Sequence, residues 1–109
     1  MYIIEQTPIF KQWLKSVKDP IAKISMIKRI ERAENGNFGD HKPLKGVSDI
    51  YEMRIDTGKG YRIYYAQAGE IIYLLTNGGD KTTQQADIEK AKAIWADYQQ
   101  QTTANGGQQ

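Results

Sequence analysis

The residues that could do chemistry together lie in the middle of the chain: Lys42, Lys45, Arg54, Arg62, Tyr64 and Lys81, with His41 close by. Such a set suits RNA. Lysine and arginine bind phosphates, an aromatic ring stacks on an unpaired base, and a lysine, tyrosine or histidine can take the proton of a ribose 2′-hydroxyl. An arginine can then stabilise the charge that builds on a pentavalent phosphorane. Other chemistries are poorly supplied. One histidine and no cysteine give neither a transition-metal ligand cluster nor a thiolate, and the acids show no metal-ligand spacing. There is no G-x-S-x-G elbow, P-loop or dinucleotide fingerprint, and Gly58-Lys59-Gly60 and Gly78-Gly79 read as turns. No cofactor is expected.

Positioning the two arginines requires a hairpin. The turn-rich Thr57-Gly58-Lys59-Gly60 separates two strand-like runs, Ile50 to Asp56 and Tyr61 to Ala66. Their apolar sets, Tyr51, Met53, Ile55 and Tyr61, Ile63, Tyr65, fall on one face only if Met53 pairs with Ile63, because a one-residue slip would turn every side chain over. That register sets Arg54 opposite Arg62 and Glu52 opposite Tyr64. Like charges facing each other cost roughly a few tenths to 1 kcal/mol. Either an anion such as a phosphate sits between the arginines, or Glu52 serves as their counter-ion on a solvated sheet face.

Around the hairpin the pattern is mixed. Tyr2 to Gln6 is a short strand, and Thr7-Pro8 caps a helix whose Ile9, Phe10, Trp13, Leu14 and Val17 form one stripe. Asp19-Pro20 opens a second helix that ends near Asn35 with Gly36 as its left-handed stop, and Ile21, Ile24, Ile27, Ile30 and Ala33 are expected to face inward. Lys28, Arg29 and Arg32 read as a solvated face more than a nucleic-acid surface. Residues 36–46 read as a loop that delivers His41, Lys42 and Lys45 to the sheet edge. A third hairpin-linked strand, Ile71 to Leu75, is apolar on both faces and therefore interior, with Asn77-Gly78-Gly79-Asp80-Lys81 breaking it. Thr82 with Gln85 suggests a capping box for a last helix with the stripe Ile88, Ala91, Trp95 and Tyr98. The expected order is β-α-α-β-β-β-α, an α+β domain over residues 1–100 with a helical hairpin on one face of a small, mostly antiparallel sheet, followed by a polar, disordered tail over 101–109.

Composition narrows the setting. A chain of 109 residues makes one domain, and the net charge of +2 hides an N-terminal surplus: residues 1–62 carry twelve Lys and Arg against eight acids, the remainder three against five. The absence of cysteine suits a reducing compartment. Neither a signal peptide nor a run of ~20 apolar residues is evident, so a cytoplasmic protein without a membrane partner is expected.

Several stretches together resemble the RelE/ParE superfamily of toxins, and within it the HigB-like addiction module killer proteins. They are Phe10-x-x-Trp13-Leu14, Arg29-Ile30-x-Arg32-Ala33-x-x-Gly36-Asn37-Phe38-Gly39-Asp40, Lys42-Pro43-Leu44, Tyr51-Glu52-Met53-Arg54, Gly60-Tyr61-Arg62-Ile63-Tyr64-Tyr65, and Gly78-Gly79-Asp80-Lys81-Thr82-Thr83-Gln84 before Asp87-Ile88. The resemblance implies a type II toxin–antitoxin toxin, a metal-independent endoribonuclease that cuts mRNA on the ribosome. It implies a helix-turn-helix antitoxin as partner, with operator DNA bound only through their complex. By position it assigns catalysis to Lys42, Arg54, Arg62 and Lys81, with His41, Lys45, Tyr64 and the hairpin-tip Lys59 as further catalytic or RNA-binding candidates. The C-terminal tyrosine of RelE has no counterpart, since Tyr98 falls on an apolar stripe. A ParE-like gyrase inhibitor, or a decayed toxin that keeps antitoxin binding, is the alternative on the same fold.

Overall fold

The computed structural model describes residues 1–107. Its elements are β1 (Ile3–Gln6), α1 (Pro8–Ser16), α2 (Pro20–Glu34), β2 (His41–Pro43), β3 (Ile50–Ile55), β4 (Tyr61–Gln67), β5 (Ile72–Asp80) and α3 (Gln84–Gly107). They make an α+β domain of three layers. One five-stranded sheet, in the order β1-β5-β4-β3-β2, has α1 and α2 on one face and α3 on the other. All neighbouring strands are antiparallel except β1 and β5, which run parallel with Ile3 beside Ile72.

The expected caps hold. Thr7 Oγ1 accepts from the Phe10 amide, and Asp19 Oδ1 accepts from the Ile21 and Ala22 amides, each cap contributing about 1 kcal/mol. Proline follows at the first helical position in both cases, and Gly36 takes φ +88° just beyond α2. The hairpin register is also as expected, with Met53 on Ile63, Arg54 on Arg62 and Glu52 on Tyr64. Met53, Ile55, Ile63 and Tyr65 are buried against Phe10, Val17, Met26 and Ile30. On the reverse face Leu44, Ile50, Tyr64, Ala66 and Leu74 meet Ala91 and Trp95 of α3.

Other expectations need correction. The isoleucines of α2 do not all face inward: exposure rises from 7% at Ile30 through 43% at Ile27 and 54% at Ile24 to 70% at Ile21. A three-residue spacing lags the 3.6-residue turn by about 60° per step, so the row walks off the core. Ile30 and Ala33 face inward as expected, and the small or pliable Ala22 and Met26 fill the rest of the inner face. In α1, Ile9 is likewise exposed while Phe10 and Val17 are buried. The loop before the hairpin contains a strand of its own, β2, pairing His41 with Met53 and Lys42 with Glu52. Three residues, the last of them Pro43, are too short to show a period. Thr82 donates to Asp80 Oδ1 through both its amide and its hydroxyl, while Thr83 Oγ1 meets Asp87 at the start of α3. The stripe of α3 is as read, with Ala91 and Trp95 buried. Residues 101–107, assigned to the tail, continue α3, because adding residues to an existing helix avoids the nucleation cost. Residues 108 and 109 lie outside the described residues.

Gly78 and Gly79 do not break β5; they continue it because two other layers come too close for a side chain. A Cβ on Gly78 would stand 2.3 Å from the Trp13 ring, and one on Gly79 would overlap the Asp87 carboxylate. Upstream, a bulge lets Tyr64 pair with Asn77 and Tyr65 with Leu75, leaving Thr76 between. Thr76 Oγ1 donates to Tyr64 O and Asn77 Oδ1, Asn77 Nδ2 donates to Asp87 O, and Thr7 Oγ1 donates to Thr76 O. The bulge thereby ties both helical layers to one point of the sheet. Gly78→Ala is expected to lower stability by about 2 kcal/mol through overpacking against Trp13. Gly69→Ala, whose nearest neighbours stand 3.7 Å away, should stay within about 0.5 kcal/mol. Urea unfolding followed by tryptophan fluorescence checks both.

Candidate RNA-binding and catalytic site

Glu52 is the centre of the site. It projects from β3 to the α3 side of the sheet, yet α3 packs on β5 and β4, so the part of this face formed by β2 and β3 lies beside the helix. The side chain is only 1% exposed and three cations crowd it. Lys42 Nζ is 3.6 Å and Arg54 Nε 3.9 Å from Oε1, and Arg62 Nε is 3.2 Å from Oε2. Each comes from a different strand, since Lys42 pairs with Glu52 across β2 and β3 and Arg62 with Arg54 across β3 and β4. One carboxylate among three cations leaves two positive charges uncompensated, on a surface where Lys42 is the most open and Arg62 the most enclosed.

Arg62 is also held from behind. Its Nη1 donates to Gly60 O at 3.0 Å and to Tyr61 O at 3.3 Å. Lys81 lies along the same turn, with its Cδ and Cε 3.3 Å from where a Cβ on Gly60 would be. The preceding residue, Asp80, has its carboxyl held below the usual carboxylate range by the Thr82 hydroxyl and amide. The structure therefore gathers Lys42, Arg54 and Arg62 about Glu52 and sets Lys81 over the turn that anchors Arg62.

Of the remaining candidates, Tyr64 lies buried beneath Glu52 and the others lie away from it. His41 is on the opposite face, with Nδ1 2.7 Å from the Tyr65 hydroxyl and its ring among Phe38, Tyr51 and Tyr65. Adjacent strand residues alternate faces, so Lys42 and His41 cannot both join the site. Lys59 lines a hollow with Trp13, Asp19 and Tyr61 on the α1 side. Lys45 is exposed in the turn after β2, outside the ion pairs around Glu52. Tyr64 is completely buried; desolvation, then the charges of Glu52 and Asp87, push its hydroxyl pKa well up. It can neither stack on a base nor readily release a proton.

Arg29 has a role that its neighbours in sequence conceal. Its Nη1 donates to Arg54 O at 2.6 Å, and Nη2 to Phe38 O at 2.9 Å and Asp40 O at 3.1 Å. Burial lowers its pKa. The guanidinium fills the space beside Gly39, where a Cβ would stand 2.9 Å from it, and it fixes both β2 and the backbone of Arg54. The signal in sequence was that glycine. Among the described residues, no three His, Cys, Asp or Glu side chains converge as a metal site, and no helix is long and apolar enough to cross a membrane.

Residues 12–97 match the family model of the phage-derived protein Gp49-like family (DUF891). The chain belongs to that family. An uncharacterized protein of Haemophilus influenzae is 44% identical over 92 residues, spanning 84% of this chain and 90% of that protein. The fold matches solved structures of the Escherichia coli toxin RelE. A double-arginine variant in the free state superposes with TM-score 0.65 and 18% identity, covering 85% of this chain and 97% of that one. RelE in the intact E. coli RelBE toxin–antitoxin complex gives 0.57 and 18%, covering 73% and 96%.

Two outcomes follow for this Gp49-like site. The Tyr64 hydroxyl is buried without a hydrogen-bond partner, so Tyr64→Phe should leave stability unchanged or raise it by up to about 1 kcal/mol, read from urea midpoints. Because folding depresses the Asp80 pKa, its contribution is present above the unfolded value of about 3.9 and is lost as pH falls through the lower folded value. Asp80→Asn should therefore flatten the acid limb of the stability profile, measured by thermal melting between about pH 2 and 6.

Proposed function

We propose that this protein is the toxin of a type II toxin–antitoxin pair and that it is a metal-independent endoribonuclease cutting mRNA on the ribosome. The observation that carries the reading is the convergence of Lys42, Arg54 and Arg62 on one buried carboxylate, with two positive charges in excess. A phosphodiester meets that need, since guanidinium groups pair with phosphate oxygens, whereas a divalent cation would be repelled.

In the proposed reaction a ribose 2′-oxygen gives up its proton and attacks the adjacent phosphorus. The bond to the 5′-oxygen breaks, that oxygen takes a proton, and the products are a 2′,3′-cyclic phosphate and a 5′-hydroxyl. Arg54 and Arg62 stabilise the phosphorane. Lys42 and Lys81, the two amines at the rim, bind the flanking phosphates and are the groups available to move protons. Lys45 extends the RNA-binding surface, while His41, Tyr64 and Lys59 stand outside the reaction. The protein partner is an antitoxin of the helix-turn-helix kind, operator DNA is reached only through that complex, and the work is done in the cytoplasm. Support for an antitoxin partner comes from the fold shared with RelE, which occurs in a RelBE complex.

The test is to express the protein in a bacterium and map 5′ ends on translated and untranslated copies of one message. Cuts with 5′-hydroxyl ends are expected only on the translated copy. Arg54→Ala and Arg62→Ala should each reduce them by about 10²-fold or more while the fold is retained. Growth arrest with an intact message would instead point to a target such as gyrase, and unchanged cleavage in both variants would remove the arginines from the site.

A further inference from the structure

Resting on that reading, we infer that Glu52 is a positioning residue, which presets the arginines for the chemical step and does so at the expense of RNA affinity. Register creates the need for such a residue. Arg54 and Arg62 are directly opposed, and like charges so placed push each other apart. A counter-ion at the surface would relieve this only weakly, because water and salt screen it. Glu52 is 1% exposed, and at low local dielectric its charge acts strongly on each neighbour.

Its two oxygens divide the work. Oε2 faces Arg62 Nε, and Oε1 lies between Lys42 Nζ and Arg54 Nε, so both guanidinium groups are drawn to one carboxylate by their inner nitrogens. Glu52 Oε2, Arg54 Nε, Arg62 Nε and the Tyr64 hydroxyl are buried without an aligned hydrogen bond. Charge at short range therefore holds the group, and no directed hydrogen bond locks it. Among the outer nitrogens, Arg62 Nη1 is turned to the carbonyls of Gly60 and Tyr61. Asp87 and Tyr64 also face this region, one with its carboxylate over Gly79 opposite Arg62, the other beneath Glu52.

Enclosed under three side chains, Glu52 does not itself touch substrate. Its charge opposes phosphate binding, while its geometry serves the phosphorane. Removing the charge should move the two in opposite directions, which loss of structure would not do. The experiment compares wild type, Glu52→Gln and Glu52→Asp in two measurements. The first is the arginine Nε–Hε region of the NMR spectrum, with the backbone amide spectrum as the check on fold. The second is the pair of cleavage rate on ribosome-bound message and affinity for a fully 2′-O-methylated RNA oligonucleotide at low salt.

In wild type, Arg54 and Arg62 should give dispersed, slowly exchanging Nε–Hε signals. In Glu52→Gln they should collapse to the position of free arginine, RNA affinity should hold or rise about threefold, and cleavage should fall at least about tenfold. Glu52→Asp, which keeps the charge one methylene further back, should be intermediate in both; it stands in if Glu52→Gln does not fold. Undisturbed arginine signals in a folded Glu52→Gln, or full cleavage despite their collapse, would overturn the inference. So would affinity and cleavage falling together. If wild type does not cleave translated message, the nuclease reading fails, and the arginine signals alone decide whether Glu52 positions the pair.

Discussion

Taking one carboxylate out of water on an otherwise open sheet face sets a requirement that much of this fold meets. The desolvation of a buried ion amounts to several kcal/mol, and only close opposite charge offsets it. Glu52 finds that charge on three separate strands, so its neutralisation demands that β2, β3 and β4 lie side by side in a single register. A slip of one residue anywhere would strand a carboxylate among apolar groups and send the arginines under α1 and α2. The same interaction therefore specifies the sheet and assembles the cationic surface.

The other layers serve this face from a distance. Arg29 reaches from α2 around the edge of the sheet to the carbonyls of Phe38, Asp40 and Arg54 and fixes the strand that carries Lys42. At the far end, the bulge at Thr76 and the close approaches at Gly78 and Gly79 seat Trp13 on one side of β5 and Asp87 on the other. Because α3 is anchored over β4 and β5 and covers Ile50 and Leu44, it leaves open the part of its face around Lys42 and Arg54. Arg62 lies at the covered margin of that opening.

How much of this could be read from residues alone varies with the kind of signal. The β3 and β4 pairing was legible because Tyr51, Met53, Ile55 and Tyr61, Ile63, Tyr65 recur at every second residue, and the capped helix starts were legible because Thr7-Pro8 and Asp19-Pro20 name their own position. Other features were not. The isoleucines of α2 repeat every three residues, close enough to a helical turn to look like a core stripe, yet the drift carries them outward. Gly78 and Gly79 look like a turn because the Trp13 ring and the Asp87 carboxylate that require them are remote in sequence. At the site, the facing of Arg54 and Arg62 followed from register, whereas the placement of His41 on the other face and the burial of Tyr64 needed the strand β2 and the depth of the α3 packing. That Glu52 is buried was the least legible, since a glutamate between basic residues on a strand ordinarily marks a wet surface.

The parallel pairing of β1 with β5 bears on how such a molecule comes into being. Ile3 has its partner at Ile72, across almost the whole domain, and contacts of such long separation form late because the intervening loop must first be closed. During synthesis the strand that will receive β1 emerges only after both helices, the hairpin and all of the site except Lys81. Until then β1 has no sheet to join, and the Thr7 hydroxyl lacks the Thr76 carbonyl it binds in the finished domain. A growing chain of this kind carries its arginines long before it carries a closed sheet, and the candidate site gains its full framework only once β5 has emerged.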